Sequence, residues 1–293
     1  MALFPGFKAR KLKTSGATIN LVTHGDGPPL LLLHGYPQTH AMWHVVAPAL
    51  ARDYTVVCPD LRGYGDSSKP KGLPDHSNYA KRAMAQDMAE VMAQLGHRAF
   101  HLVGHDRGAR VAHRLARDHG ERVRSLTVLD IVPTLKMYEN TTQAFATAYY
   151  HWFFLIQKPP LPEQLLAGHA PGYVLDRLGK GAPFARAARR EYERAFCDPK
   201  CIHATCEDYR AAAGIDLVHD RKDLKRKLRM PLLVLWGKRG VIERFFDPLR
   251  DWREVAVDVR GRALDCGHFL PEEKPREVLA ELRRFLARAQ KGL

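Results

Sequence analysis

The chain has 293 residues, 45% of them hydrophobic and 27% charged, enough apolar material for one large globular domain or a core with a smaller companion. No stretch reaches the roughly 18 consecutive apolar residues of a membrane span, and the N-terminus lacks a signal-peptide pattern, so the expected setting is the cytoplasm with no membrane partner. The formal net charge of +14 raises a nucleic-acid partner, but the basic residues are dispersed and only Arg221 to Arg229 is dense, so none is expected.

Met1 to Ala17 reads as an opening strand or arm, and Ile19 to Thr23 alternates as a strand does before the Gly25-Asp26-Gly27-Pro28-Pro29 turn. Leu30 to Leu33 is a continuous apolar run, the mark of a buried central strand, and it ends in His34-Gly35-Tyr36-Pro37. Met42 to Leu50 reads as a helix and Tyr54 to Cys58 as a second buried strand. Ala80 to Leu95 carries Met84, Met88, Val91, Met92 and Leu95 at helical spacing and stops at Gly96. Ala99 to Val103 then runs as a strand into Gly104-His105-Asp106-Arg107-Gly108, which opens directly into an amphipathic segment, Val111 to His119.

That last junction is the pattern of a nucleophile elbow: strand, sharp turn, helix, with glycines flanking the reactive side chain. The central residue is Asp106 rather than serine. A carboxylate is ionised at neutral pH and attacks without a base to deprotonate it, and the product is an ester of the enzyme. The glycine loop after the first central strand is positioned to aim backbone N–H groups at a developing negative charge. The backbone N–H groups of Tyr36 and Arg107 are therefore the expected oxyanion donors.

Ser125 to Leu129 is the next buried strand, followed by Asp130 at the end of the sheet where ligands bind. Composition then changes. Residues 134–212 are rich in Ala, Arg and aromatics, lack β-branched runs and are broken by prolines, which reads as a helical cap inserted into a core formed by residues 1–133 and 213–293. Within it Tyr149 to Phe154 places six aromatic side chains together, and Glu207-Asp208-Tyr209-Arg210 lies on a helix ended by Gly214. Cys197, Cys201, His203 and Cys206 cluster, but their spacing matches no compact zinc module, and an odd total of five cysteines argues against a disulfide framework; no metal is expected.

Leu232 to Gly237 resumes the core as a strand, a loop follows through Glu243 and Asp247, and Ala256 to Val259 is read as the last strand. His268 stands in the glycine-flanked loop beyond it, and Pro275 to Ala289 closes the chain as an amphipathic helix. Strand and helix alternation predicts an α/β fold with a mostly parallel sheet covered by helices on both faces. The order nucleophile, acid, histidine is that of the α/β-hydrolase fold, with His268 as general base.

Taken together, His34-Gly35-Tyr36-Pro37, the Gly104 to Arg110 elbow, Leu129-Asp130, His151-Trp152, Tyr209 and Gly267-His268 closely resemble the fluoroacetate dehalogenases of the α/β-hydrolase superfamily. The resemblance implies cofactor-free hydrolysis of a 2-haloacetate, a small anionic substrate, with Asp130 orienting His268 and with His151, Trp152 and Tyr209 surrounding the departing halide. It also implies a homodimer. Many relatives instead take the acid from the later loop, where Glu243 and Asp247 stand. Arg107 and Arg110, three residues apart on the elbow helix, are a pair of guanidinium groups suited to clamping the substrate carboxylate. An epoxide hydrolase would share Asp106 and His268 and use tyrosines of the cap; against it, an anion clamp has no purpose for a neutral epoxide. A ligand-binding scaffold without chemistry is the alternative of another class.

Overall fold

The structure is a computed structural model that describes residues 3–179 and 183–291. Met1 and Ala2 of the opening segment and residues 180–182 of the helical insertion lie outside the described residues.

Eight strands form one sheet in the order β1-β2-β4-β3-β5-β6-β7-β8. They are β1 (Lys8–Lys13), β2 (Thr18–His24), β3 (Pro29–Leu33), β4 (Thr55–Pro59), β5 (Phe100–His105), β6 (Val123–Leu129), β7 (Leu232–Gly237) and β8 (Val259–Leu264). β1 pairs antiparallel with β2 and β2 with β4, and the rest of the sheet is parallel. Every residue of β5 and β7 is buried, as are Leu30 to Leu33, which is why these strands show as unbroken apolar runs. The edges behave differently. β1 exposes Lys8, Arg10, Lys11 and Lys13, charges that discourage another chain from pairing onto the open edge.

Two expectations shift. The last strand is not Ala256 to Val259 but Val259–Leu264; Ala256 makes only an isolated bridge to Leu228. β8 is the other edge strand, buried only at its two ends and carrying Arg260 and Arg262 between, so its apolar signal is faint. Met42 to Leu50 is two pieces, a 3-10 turn at His40–Trp43 and a helix at Val46–Leu50. Among the described residues, eight helices occupy the stretch between β6 and β7, the last of them Ile215–Asp223, beyond residue 212. No helix among the described residues is long and apolar enough to cross a membrane.

The parallel topology brings the ends of β3, β5 and β6 to one edge of the sheet, where Tyr36, Asp106 and Asp130 follow. Helices of the 134–223 stretch lie over that edge, and Tyr149, His151 and Tyr209 meet Tyr36, Asp106 and His268 around a shared cavity.

Candidate active site

Asp106 is the first residue of the elbow helix (Asp106–Asp118) and holds φ at +44°, a left-handed backbone that a non-glycine residue adopts only when its surroundings enforce it. The surroundings are the two glycines. A Cβ on Gly104 would stand 2.6 Å from the Gly108 carbonyl oxygen, and one on Gly108 would stand 2.3 Å from the His34 carbonyl oxygen. Only hydrogen fits, so the helix N-terminus presses against β3 and β5 and Asp106 projects from the turn. Its Oδ1 accepts the backbone N–H of Tyr36 at 2.9 Å, so the first expected oxyanion donor faces the expected nucleophile.

Burial opposes ionisation of Asp106, but the charges of His268, Arg110 and Arg107 outweigh it and hold the carboxyl below its ordinary range. His268 lies across from it, Nε2 3.9 Å from Asp106 Oδ2, too far for a hydrogen bond. On its other side His268 Nδ1 meets Asp130 Oδ2 at 2.5 Å, while Asp130 Oδ1 accepts the Gly237 N–H at 2.8 Å. Burial pulls the imidazole down, and the hydrogen bond and charge of Asp130 more than reverse it, so His268 titrates above its ordinary value. Of the three candidate acids, Asp130 is the one touching His268. Glu243 accepts the Trp236 indole N–H, and Asp247 caps the helix beginning at Pro248 through the Arg250 N–H at 3.0 Å.

The two arginines are buried, not spread on the helix surface, and each is already committed. Arg107 is wholly buried and gives Nε and Nη2 to Asp208 at 3.0 and 2.7 Å, with its guanidinium 4.0 Å over the Tyr209 ring. Arg110 gives Nη1 to the Val132 carbonyl and Thr134 hydroxyl at 3.2 and 2.9 Å and lies 4.6 Å over the Trp152 ring. What remains is one nitrogen on each side: Arg107 Nη1 and Arg110 Nε are buried without an acceptor among the described residues. The same holds for His151 Nδ1, Trp152 Nε1 and the Tyr209 hydroxyl. A buried donor with no partner costs roughly 1–3 kcal/mol. Of these residues His151 and Tyr209 line the cavity with Asp106, while Arg107, packed on the Tyr209 ring, and Arg110, packed on Trp152, stand behind its described lining.

The sequence pattern of the alpha/beta hydrolase fold matches residues 28–275. The chain belongs to the α/β-hydrolase family. This hydrolase is 45% identical to a fluoroacetate dehalogenase of a Burkholderia species, over 99% of this chain and 97% of that one. It is 36% identical to a soluble epoxide hydrolase of Corynebacterium sp. (strain C12), covering 93% and 95% of the two chains. Among solved structures, ALR0039 from Nostoc sp PCC 7120 superposes with a TM-score of 0.95 at 57% identity, covering 96% and 98%.

Three features of the hydrolase site escape sequence reasoning. Asp208 is one, since nothing in Glu207-Asp208-Tyr209-Arg210 tells which acid turns inward. His105 is another. Its ring stands 4.6 Å from that of His268, its Nε2 reaches the His268 carbonyl at 2.8 Å, and burial pulls it down to about 3, so it is neutral and donates that bond. The third is the cavity wall contributed by Arg177 and Arg239, which Tyr149 of the aromatic cluster joins. The cysteine cluster does not assemble as a ligand set. His203 lies instead with Glu163 and Glu207, and Arg210 bonds both carboxylates at 2.7 and 2.8 Å, occupying the place of a cation.

A buried acid supports the oxyanion loop. Glu272, shortly after His268, accepts from Gln38 next to Pro37 and from the Tyr192 hydroxyl of the helical insertion at 3.0 Å. Burial, reinforced by Glu273, pushes it up to about 8 against the pull of Tyr192 and Gln38. The folded chain therefore binds this proton more tightly than the unfolded one, and stability falls as pH rises from the ordinary glutamate value of 4.5 to about 8. Glu272→Gln is expected to flatten that part of the Tm-versus-pH curve; an unchanged slope would assign it to Asp216, which burial raises to about 6.

Proposed function

We propose that this chain is a hydrolytic dehalogenase that converts 2-haloacetates, fluoroacetate foremost, to glycolate and halide through an ester on Asp106. The observation that carries the reading is the set of unpaired buried polar groups in and behind the wall of the cavity that holds an ionised, buried aspartate. Arg107 Nη1 and Arg110 Nε are the two guanidinium nitrogens assigned to a substrate carboxylate, and the His151 ring, the Trp152 indole and the Tyr209 hydroxyl are assigned to the halide. The 45% identity to a fluoroacetate dehalogenase supports the same assignment.

In the first step an Asp106 oxygen attacks C2 of the substrate in line with the carbon–halogen bond, and the halide leaves with the electron pair. Fluoride is a poor leaving group, so donors fixed where charge appears do most for the rate. In the second step a water in the gap between His268 and Asp106 gives its proton to His268 Nε2 and adds to the ester carbonyl. The Tyr36 and Arg107 backbone N–H groups receive the oxyanion, which collapses as His268 returns its proton to the departing glycolate oxygen, and the regenerated Asp106 carboxyl loses its remaining proton to solvent. Residues 134–212 act as the cap that closes this site. The proposed working form is a cytoplasmic homodimer needing no cofactor, for which light scattering should give twice the chain mass.

The steps titrate differently. Turnover should fall as pH drops through the raised His268 value, because a protonated imidazole accepts no proton. The single-turnover halide burst should survive to lower pH, because Asp106 stays ionised. A burst that fades together with turnover would contradict this division of labour.

The second reading, an epoxide hydrolase, has support in the 36% relative and in the free Tyr209 hydroxyl. A neutral epoxide leaves Arg107 Nη1 and Arg110 Nε without an acceptor, which favours the haloacid. Fluoride release from fluoroacetate, run beside a styrene-type epoxide, decides between them. A scaffold without chemistry would place no heavy oxygen from labelled water into the Asp106 carboxylate during incubation with substrate, whereas a working second step does.

A further inference from the structure

A second group of unpaired donors lies on the outer wall of the same cavity. Arg177, on the helix Ala170–Leu178, lines it together with Tyr36. Arg177 makes no ion pair or hydrogen bond among the described residues, and its Nε is buried without an acceptor. Tyr173 is one helical turn away at i−4, and its hydroxyl and that of Tyr36 are buried facing each other, with no other partner among the described residues. The charge of Arg177 is felt by Tyr36, Tyr173 and Tyr209, and after burial it is the largest influence keeping His151 neutral. Among the described residues the one other wall arginine is Arg239, which already has Asp265 at 2.6 Å and is 60% exposed. Among the described residues Asp106 is the only acid on the wall.

A guanidinium without an ion pair, its Nε buried, beside two buried phenols that have only each other is a cradle for an anion. In the dehalogenase reading the carboxylate of a haloacetate is assigned to Arg107 and Arg110, and a cavity of about 220 Å³ leaves room beyond a five-heavy-atom acid. We infer that Arg177, with Tyr36 and Tyr173, forms a second anion subsite that holds the far carboxylate of a 2-halo dicarboxylic acid. This rests on the dehalogenase reading and names a further substrate class for it. With 2-chlorosuccinate the bond formed is Asp106 oxygen to C2 and the bond broken is C2–Cl. Water then cleaves the ester to give 2-hydroxysuccinate, chloride and a proton.

The test compares chloride release from chloroacetate, 2-chloropropionate and both enantiomers of 2-chlorosuccinate. 2-Chloropropionate carries the same branching without the second charge. The wild type should favour one 2-chlorosuccinate enantiomer over 2-chloropropionate in kcat/KM by at least about 10-fold, the low end for a desolvated charged hydrogen bond. Arg177→Met should erase that preference, Arg177→Lys should restore part of it, and Tyr173→Phe should weaken it. Calorimetry scores the subsite without turnover: succinate should bind wild type about 10-fold more tightly than propionate and no more tightly in Arg177→Met. A wild type that prefers 2-chloropropionate, or an Arg177→Met protein depressed equally on all substrates, overturns the subsite while leaving the haloacetate reading standing. No halide from chloroacetate at all sinks that reading instead, and the calorimetric arm still decides the subsite.

Discussion

Asp106→Asn is expected to abolish halide release, by about four orders of magnitude or more, since loss of a covalent nucleophile removes the first step itself. The amide fits the same turn and can keep one oxygen on the Tyr36 N–H, so the fold and the surrounding donors should survive and the loss should be chemical. Mass spectrometry must show that the amide has not hydrolysed back to the acid, because a small deamidated fraction would imitate residual activity. His268→Ala forms the complementary variant. It should release about one halide per site and then accumulate protein heavier by the carboxymethyl group of the ester, because attack on carbon needs no base and hydrolysis of the ester does. An Asp106→Asn protein at parental rate, or full turnover by His268→Ala, would remove the two-step scheme.

Asp208→Asn is expected to have the largest effect on stability of any change near the site. The carboxylate is fully buried and serves Arg107, Lys81 and the Tyr64 hydroxyl, the last at 2.7 Å. Burial opposes its charge, but the two cations hold it far below the ordinary carboxylate range. Neutralising it leaves two buried cations with only Asp216 nearby, 3.8 Å from the Lys81 ammonium. Breaking a buried pair from one side costs about 3–5 kcal/mol, roughly 10 °C of Tm for a chain of this size. Activity should fall as well, mainly through KM, since Arg107, the proposed carboxylate clamp, is no longer held by the Asp208 carboxylate. The double variant Asp208→Asn/Lys81→Met separates the two effects. Removing the surplus charge should recover part of the Tm and leave KM raised. A single variant that melts with the parent would show that Asp208 does not neutralise this cluster.

The sequence alone determined the parts of this protein that are local in the chain. Leu30 to Leu33 and Leu232 to Gly237 announce themselves as central strands because both faces are buried. Gly104 and Gly108 mark the elbow because no Cβ fits there. The order of Asp106, Asp130 and His268 along the chain is likewise local information. Long-range pairing decided the rest. Whether His268 takes Asp130 or an acid of the later loop depends on which carboxylate the sheet brings within 2.5 Å, and sequence spacing carries no such distance. The state of Arg107 is equally non-local. A helical pair of arginines looks solvated until Asp208, 101 residues away, arrives to bury and neutralise one of them. The same packing leaves Arg177 without a counter-charge among the described residues, and a sequence cannot register which donors remain unpaired once everything else has found its acceptor.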